Sequence, residues 1–306
     1  DLRISIRGFG ARSSFGVRGV KILVDGISQT MPDGQTQLDS IDPGMIESIE
    51  ILRGPSSSLY GNASGGVISI DTQDGSEFGV GSTLRLELGQ FELEKYQFKL
   101  GGASGPLNYR IYASNFQWAG YRDHSSNSSS LVDAKFSLET GLGSDWSFII
   151  SHFNSPKAED PGGLTRAQVE SNPQVASPRN ILFDAGEMVK NTNLGLIYKK
   201  RLGGNQEFSL TANLNRRFFK NKLPFISGGS VEFERLAPEI GVRSVIDTRV
   251  LGRQGRLIAG ADFNFQWDDR KRFDNNNGTQ GDKTLDRLET VYSLGPYLRT
   301  EWKWTP

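Results

Sequence analysis

From about residue 81 onward, apolar and polar positions trade places one by one. Across 256–268, Leu257, Ala259, Ala261, Phe263, Phe265 and Trp267 form one phase. The other holds Arg256, Ile258, Gly260, Asp262, Asn264, Gln266 and Asp268, almost all polar or small. Across 207–219, Phe208, Leu210, Ala212, Leu214 and Phe218 share a phase broken only by Arg216, opposite Glu207, Ser209, Thr211, Asn213, Asn215 and Arg217. Tyr96, Phe98 and Leu100 repeat the pattern against Lys95, Gln97 and Lys99. A period of two marks strands with one apolar face. Ten long strands are expected, near 82–90, 94–102, 108–119, 130–140, 146–153, 191–202, 207–219, 240–251, 256–268 and 285–304.

Their length carries information. A strand in a soluble protein averages about 5–6 residues, whereas a tilted strand crossing a bilayer needs about 9–11. The connections alternate too. Short turns rich in Gly, Ser, Asn and Pro are expected near 103–108, 141–145, 203–206 and 252–255, and long polar stretches near 121–130, 154–190, 220–230 and 269–283. Short turns at one end and long loops at the other describe an antiparallel up-and-down outer-membrane barrel. Aromatic residues near strand ends, among them Phe116, Trp118, Trp146, Phe218, Phe219, Trp267, Trp302 and Trp304, suit its interfacial girdles. A soluble β-sandwich with an aromatic core is the rival. No strand after 304 closes the sheet, and a barrel tolerates no free edge in lipid. The chain is therefore expected to hold an incomplete barrel.

Residues 1 to 78 have another texture, Gly-rich with short apolar runs. Residues 20–24 read as a strand closed by Asp25-Gly26, a dipeptide that accepts positive φ in a hairpin turn, with Ile27 starting the return. Residues 45–52 suggest a short helix running into a strand, and 65–71 another strand. A small α+β unit is expected.

Composition removes several functions. The 306 residues carry 35 basic and 35 acidic side chains, so there is no cationic excess for nucleic acid. There is no Cys, hence no disulfide or thiolate metal site, and only two His, which makes a multi-histidine metal centre unexpected. No apolar run reaches the length of a membrane helix. Mean hydropathy is negative, but a barrel alternates lipid-facing and lumen-facing residues and keeps a soluble-like average. Gly8-Phe9-Gly10 lacks the third glycine of a dinucleotide loop, and 61–66 lacks nucleophile-elbow spacing. His124 and His152 have no local catalytic or metal partner. The Asn-rich 274–282 lacks the bidentate Glu of a calcium loop. No catalytic residue, metal site or cofactor is expected, and no enzymatic activity.

Three stretches carry a family resemblance: IRGFG at 6–10, ILVDGI at 22–27, and IESIEILRGPSSSLYGNASGGVISI at 46–70. They resemble the plug of TonB-dependent outer-membrane receptors, and the last matches over about 25 residues. The resemblance implies a membrane all-β barrel with a small N-terminal α+β plug. Residues 1–78 would be the plug, lacking its first part, and 79–306 the first ten or so strands of a 22-stranded barrel. It implies a site in the outer membrane of a Gram-negative bacterium, amid outer-membrane lipid. It also implies partnership with TonB and its ExbB–ExbD motor, and import of a ferric siderophore or similar iron chelate. Cobalamin, another metal chelate or an oligosaccharide are alternative cargoes. A non-transporting barrel protein or a soluble β-rich binding protein are alternatives of another class.

The resemblance also assigns residues. Arg7 and Arg53 would lock the plug by pairing with barrel glutamates from later strands. Ligand contacts would lie on plug apices: Arg12, Ser13, Ser14 and Phe15 in the first, Met31, Asp33, Gln35 and Gln37 in the second, with 56–60 as a weaker third. In the long loop 154–190, Thr165 is expected to cap a short helix over 164–170.

Overall fold

A computed structural model describes residues 3–13, 16–54, 61, 63–75, 80–141, 143–250 and 253–302. Ser14, Phe15, 56–60 and Trp304 lie outside the described residues.

The first region builds short strands around a small apolar core. β1 (Val17–Arg18) pairs with β4 (Gln35–Thr36). β2 (Lys21–Val24), β3 (Ile27–Ser28), β5 (Ile46–Arg53) and β6 (Gly66–Thr72) form a four-stranded sheet in the order β3-β2-β6-β5. Its β2–β6 pair is parallel and the others antiparallel. Val17, Val20, Ile22, Ile68 and Ile70 make the core. Asp25-Gly26 turns as expected, with φ of 50° and 81°. The helix expected within 45–52 does not form. Pro43–Met45 makes one 3-10 turn capped by Asp42, and β-branched Ile46, Ile49 and Ile51 continue as strand.

Ten antiparallel strands follow in strict up-and-down order. They are β7 (Gly81–Gly89), β8 (Leu93–Ser104), β9 (Leu107–Trp118), β10 (Asn127–Thr140) and β11 (Ser144–Glu159). Next come β12 (Gly186–Leu202), β13 (Gln206–Lys222), β14 (Ser230–Val250), β15 (Arg253–Asn276) and β16 (Thr279–Trp302). The burial pattern is inverted relative to a soluble protein. Leu84 is 74% exposed and Leu294 68%, whereas Arg110 is 1% and Asp268 3%. Only a wall with lipid outside and filling inside arranges side chains so. The first region supplies that filling: Met45 packs with Tyr112, Leu131, Phe153 and Val189, and Ile27 with Ile149 and Ile197.

Strands follow one another closely after Ser104, Thr140, Leu202 and Val250; at the opposite rim the longest connection joins Glu159 to Gly186. Two expected long loops are corrected. Residues 154–159 and 186–190 belong to β11 and β12, and 269–283 is no loop but the tip of the β15–β16 hairpin. Its turn is Asn277-Gly278, with φ of 49° and 87°, the positive pair that a two-residue turn requires. The girdle expectation is also corrected in part. Trp146 stacks with Phe148 and Tyr198, and Trp267 with Phe265, on the exposed face. Phe116 and Phe219 instead stand in the lumen-facing phase beside Tyr112 and Arg217.

Candidate functional site

The short strand that follows the first expected apex pairs with the second at the loop-bearing rim. β1–β4 pairing sets Val17 against Thr36 and Arg18 against Gln35. Gly16 makes this approach feasible: its φ is +60°, and a Cβ there would stand 2.6 Å from the Thr36 carbonyl oxygen. The Met31–Gln35 turn closes with Met31 N–H donating to the Gln35 carbonyl at 2.9 Å and Gln35 N–H to the Asp33 carboxylate at 2.9 Å. Arg18 donates to the Asp33 carbonyl at 2.8 Å and to Gln35 Oε1 at 3.3 Å.

Asp33 therefore has structural work within the protein. Its carboxylate also accepts from Arg235 of β14 at 3.2 Å, and Arg235 is held by Asp268 of β15 through two bonds of 2.7 Å. Beside it, Asp39 receives both Arg217 amino groups from β13, at 3.2 and 2.8 Å. Phe219 and Phe233 pair across β13 and β14 with ring centroids 5.2 Å apart; Arg217 lies 6.0 Å from the first ring, Arg235 5.4 Å and Arg270 5.8 Å from the second. Such spacing is within cation–π range. Next to this shelf, a cavity of about 320 Å³ is lined by Gln37, Asp39, Phe116, Asn127, Phe153 and Glu187, among others. Arg12 is exposed, while Ser13, Met31 and Gln37 are half-buried.

The plug's grip on the wall has a definite polarity. Besides Asp33 and Asp39, Asp42 accepts from Lys95 and Ser114 at 2.9 Å each, and Asp25 pairs with Lys135 at 2.9 Å. The plug offers carboxylates and these ten strands offer cations. Arg7 and Arg53 are exposed, and neither forms an ion pair among the described residues. Burial pushes the Asp42 carboxyl up, but the Gly44 N–H, the Lys95 ammonium and the Ser114 hydroxyl outweigh it, and its pKa lies below the ordinary aspartate value.

Above the cavity sits the connection from β11 to β12, with helices α1 (Arg166–Ser171) and α2 (Pro178–Leu182). Thr165 caps α1 in a reciprocal box with Gln168. Arg122, from the neighbouring connection, donates to the carbonyls of Pro161, Gly162 and Val175 and fastens the segment down. His124 holds the Ala185 carbonyl at 2.8 Å, and His152 bonds Thr192 on the exposed side of the wall. Among the described residues, no cluster of three or more His, Asp or Glu is placed to hold a metal.

Sequence reasoning missed Asp39, Arg217, Arg235 and the phenylalanine pair. A signal existed: Arg217 interrupts a neutral phase of Thr211, Asn213 and Asn215 that faces the lumen.

Residues 1–67 match the TonB-dependent Receptor Plug Domain family. A hemin receptor of Yersinia enterocolitica is 41% identical over 75 residues, 24% of this chain and 10% of that receptor. A rhizobactin receptor of Rhizobium meliloti is 45% identical over 73 residues, 22% of this chain and 10% of that receptor. The ferric citrate transporter FecA in its unliganded form superposes with a TM-score of 0.75 at 14% identity, covering 99% of this chain and 49% of that one. The ferric yersiniabactin uptake receptor FyuA of Yersinia pestis gives 0.65 at 17% identity, covering 94% and 45%. The alignments thus take in about a tenth of each curated relative and about half of each solved structure. Residues 1–67 thus match the plug of TonB-dependent receptors, and the ten strands after them share the fold of the barrel wall in these solved receptors.

Proposed function

We propose that the complete protein imports a ferric chelate, a ferric siderophore before any other cargo, using energy delivered by TonB and its ExbB–ExbD motor. Residues 1–78 act as the plug and 79–306 as the first strands of the barrel. One observation carries this reading: the plug is fastened by ion pairs inside a wall whose outer face is apolar, so it occludes the path it stands in. Relatives named as hemin and rhizobactin receptors support an iron chelate. The protein moves its cargo without transforming it.

The ligand-facing residues of this half are Arg12, Ser13, Met31 and Gln37, and the sequence resemblance assigns Ser14 and Phe15 the same role. Asp33 and Gln35 serve by shaping that surface. Arg7 and Arg53 are left to meet carboxylates from later strands.

The test is uptake of radiolabelled ferric siderophores by an iron-starved deletion strain, with and without the restored gene and with and without a protonophore. Energy-dependent uptake that returns with the gene is expected. Normal uptake in the deletion strain would overturn the cargo assignment.

A further inference from the structure

At the loop-bearing rim one carboxylate has no counterpart. Glu187 stands near the start of β12, in the phase of Val189, Asn191 and Asn193 that faces the lumen. It is half-buried and forms no hydrogen bond or ion pair among the described residues. The cations of this rim are engaged elsewhere. Both Arg217 amino groups hold Asp39, Lys157 pairs with Glu159, Lys220 with Glu232, and Lys222 with Asp184. A carboxylate drawn out of water without a partner is costly, so the position calls for a positive group.

Glu187 lines the cavity of about 320 Å³ beside the second plug apex, and among the described residues no Lys or Arg lines it. Phe116 and Ser129 face each other there across β9 and β10, as Ala158 and Glu187 do across β11 and β12. The Asn127 amide oxygen, buried in the same wall, accepts no hydrogen bond from the protein. Phe116 and Phe153 add two aromatic rings. An anion would meet Glu187 and Asp39 with no cation in the lining to receive it. A hard metal ion takes about six to eight oxygens, and no carboxylate cluster of that kind forms among the described residues. An organic ammonium fits the lining. Its N–H donors can divide between a carboxylate, an amide oxygen and a serine hydroxyl, and its charge is attracted by aromatic faces.

We propose that this cavity receives a protonated amine carried on a flexible arm of the cargo. Glu187 takes the ammonium, Asn127 Oδ1 accepts a second N–H, and Phe116 and Phe153 flank the arm. The proposal rests on the import reading and adds a chemical class to it. The cargo is an iron chelate with a free amine, preferred over the same chelate with that amine acylated.

The test uses the complete receptor, purified in detergent, carrying Ser129→Cys; the chain has no cysteine of its own. Labelling of that thiol by methyl methanethiosulfonate, a small neutral reagent, is timed. Millimolar n-butylammonium should slow it severalfold, whereas n-butanol, of the same shape without the charge, should not. Glu187→Gln should abolish the protection and Glu187→Asp should keep part of it. Where Glu187→Gln also alters the unprotected rate, Phe116→Leu decides instead, by weakening the protection severalfold. A thiol the reagent does not reach would overturn the proposal. So would absent protection by butylammonium, equal protection by butanol, stronger protection by calcium chloride, or protection that survives Glu187→Gln. Neither iron nor TonB enters this experiment, so its failure leaves the transport reading standing. Likewise, failed uptake in cells leaves the amine measurement intact.

Discussion

Arg110 shows what one side chain risks inside the lumen. It is almost fully buried, and its charge is met by Asp133 on the adjacent strand and by the Thr72 hydroxyl of the plug. Removing one partner from a buried pair leaves an uncompensated charge, which costs about 3–5 kcal/mol. Asp133→Ala should therefore lower the stability of the complete receptor by about that amount, read from urea unfolding in detergent. The double change Arg110→Met with Asp133→Leu should recover most of it. Asp42 adds a pH dependence. An unfolded aspartate titrates near 3.9, and Asp42 titrates lower in the fold. Its contribution is complete above the unfolded value and is lost as pH falls through the folded one. Protease resistance of the plug should weaken on acidification below about pH 4, and Asp42→Asn should flatten that part of the profile. These partners were not legible in the sequence. Asp39 and Arg217 stand 178 residues apart and Asp33 and Arg235 202, and no local pattern reports a contact made by closing a wall around a plug.

At the scale of elements, the strands were legible for as long as one face met lipid. The alternation in β15 is legible only to Asp268, because Asp269, Arg270, Lys271 and Arg272 are charged on both phases. Past the lipid boundary both faces are polar, so the hydrophobic period fades while pairing to β16 persists up to Asn276. The same physics made 269–283 look like a loop. The short helix after Thr165 was legible because its cap is local chemistry. That helix belongs to a segment held by one side chain from elsewhere, Arg122, which reaches three carbonyls. Arg122→Ala should free it, seen as faster proteolysis and amide exchange across 160–185. Thr165→Ala should loosen α1 alone, by about 0.5–2 kcal/mol.

For the whole molecule, the decisive question is which solvent the outer face meets, and one strand can answer it. Glu239 and Ile240 are neighbours midway along β14; the first lines a cavity between the β2–β3 hairpin and the wall, and the second is 52% exposed on the outer face. In a soluble sandwich, replacing an exposed Ile with Arg exchanges apolar surface for a solvated charge and changes stability little. In a barrel wall, Arg at the bilayer midplane costs about 2–4 kcal/mol. Ile240→Arg should therefore destabilise the complete receptor by about that much in lipid vesicles, measured by reversible urea unfolding. The cost should shrink for Lys220→Arg at the outer end of β13, where the side chain already meets Glu232 and Gln280. A small, position-independent effect would mean that the exposed leucines, isoleucines and phenylalanines of these strands do not face lipid. The plug would then be an ordinary packed layer rather than an occlusion in a membrane pore.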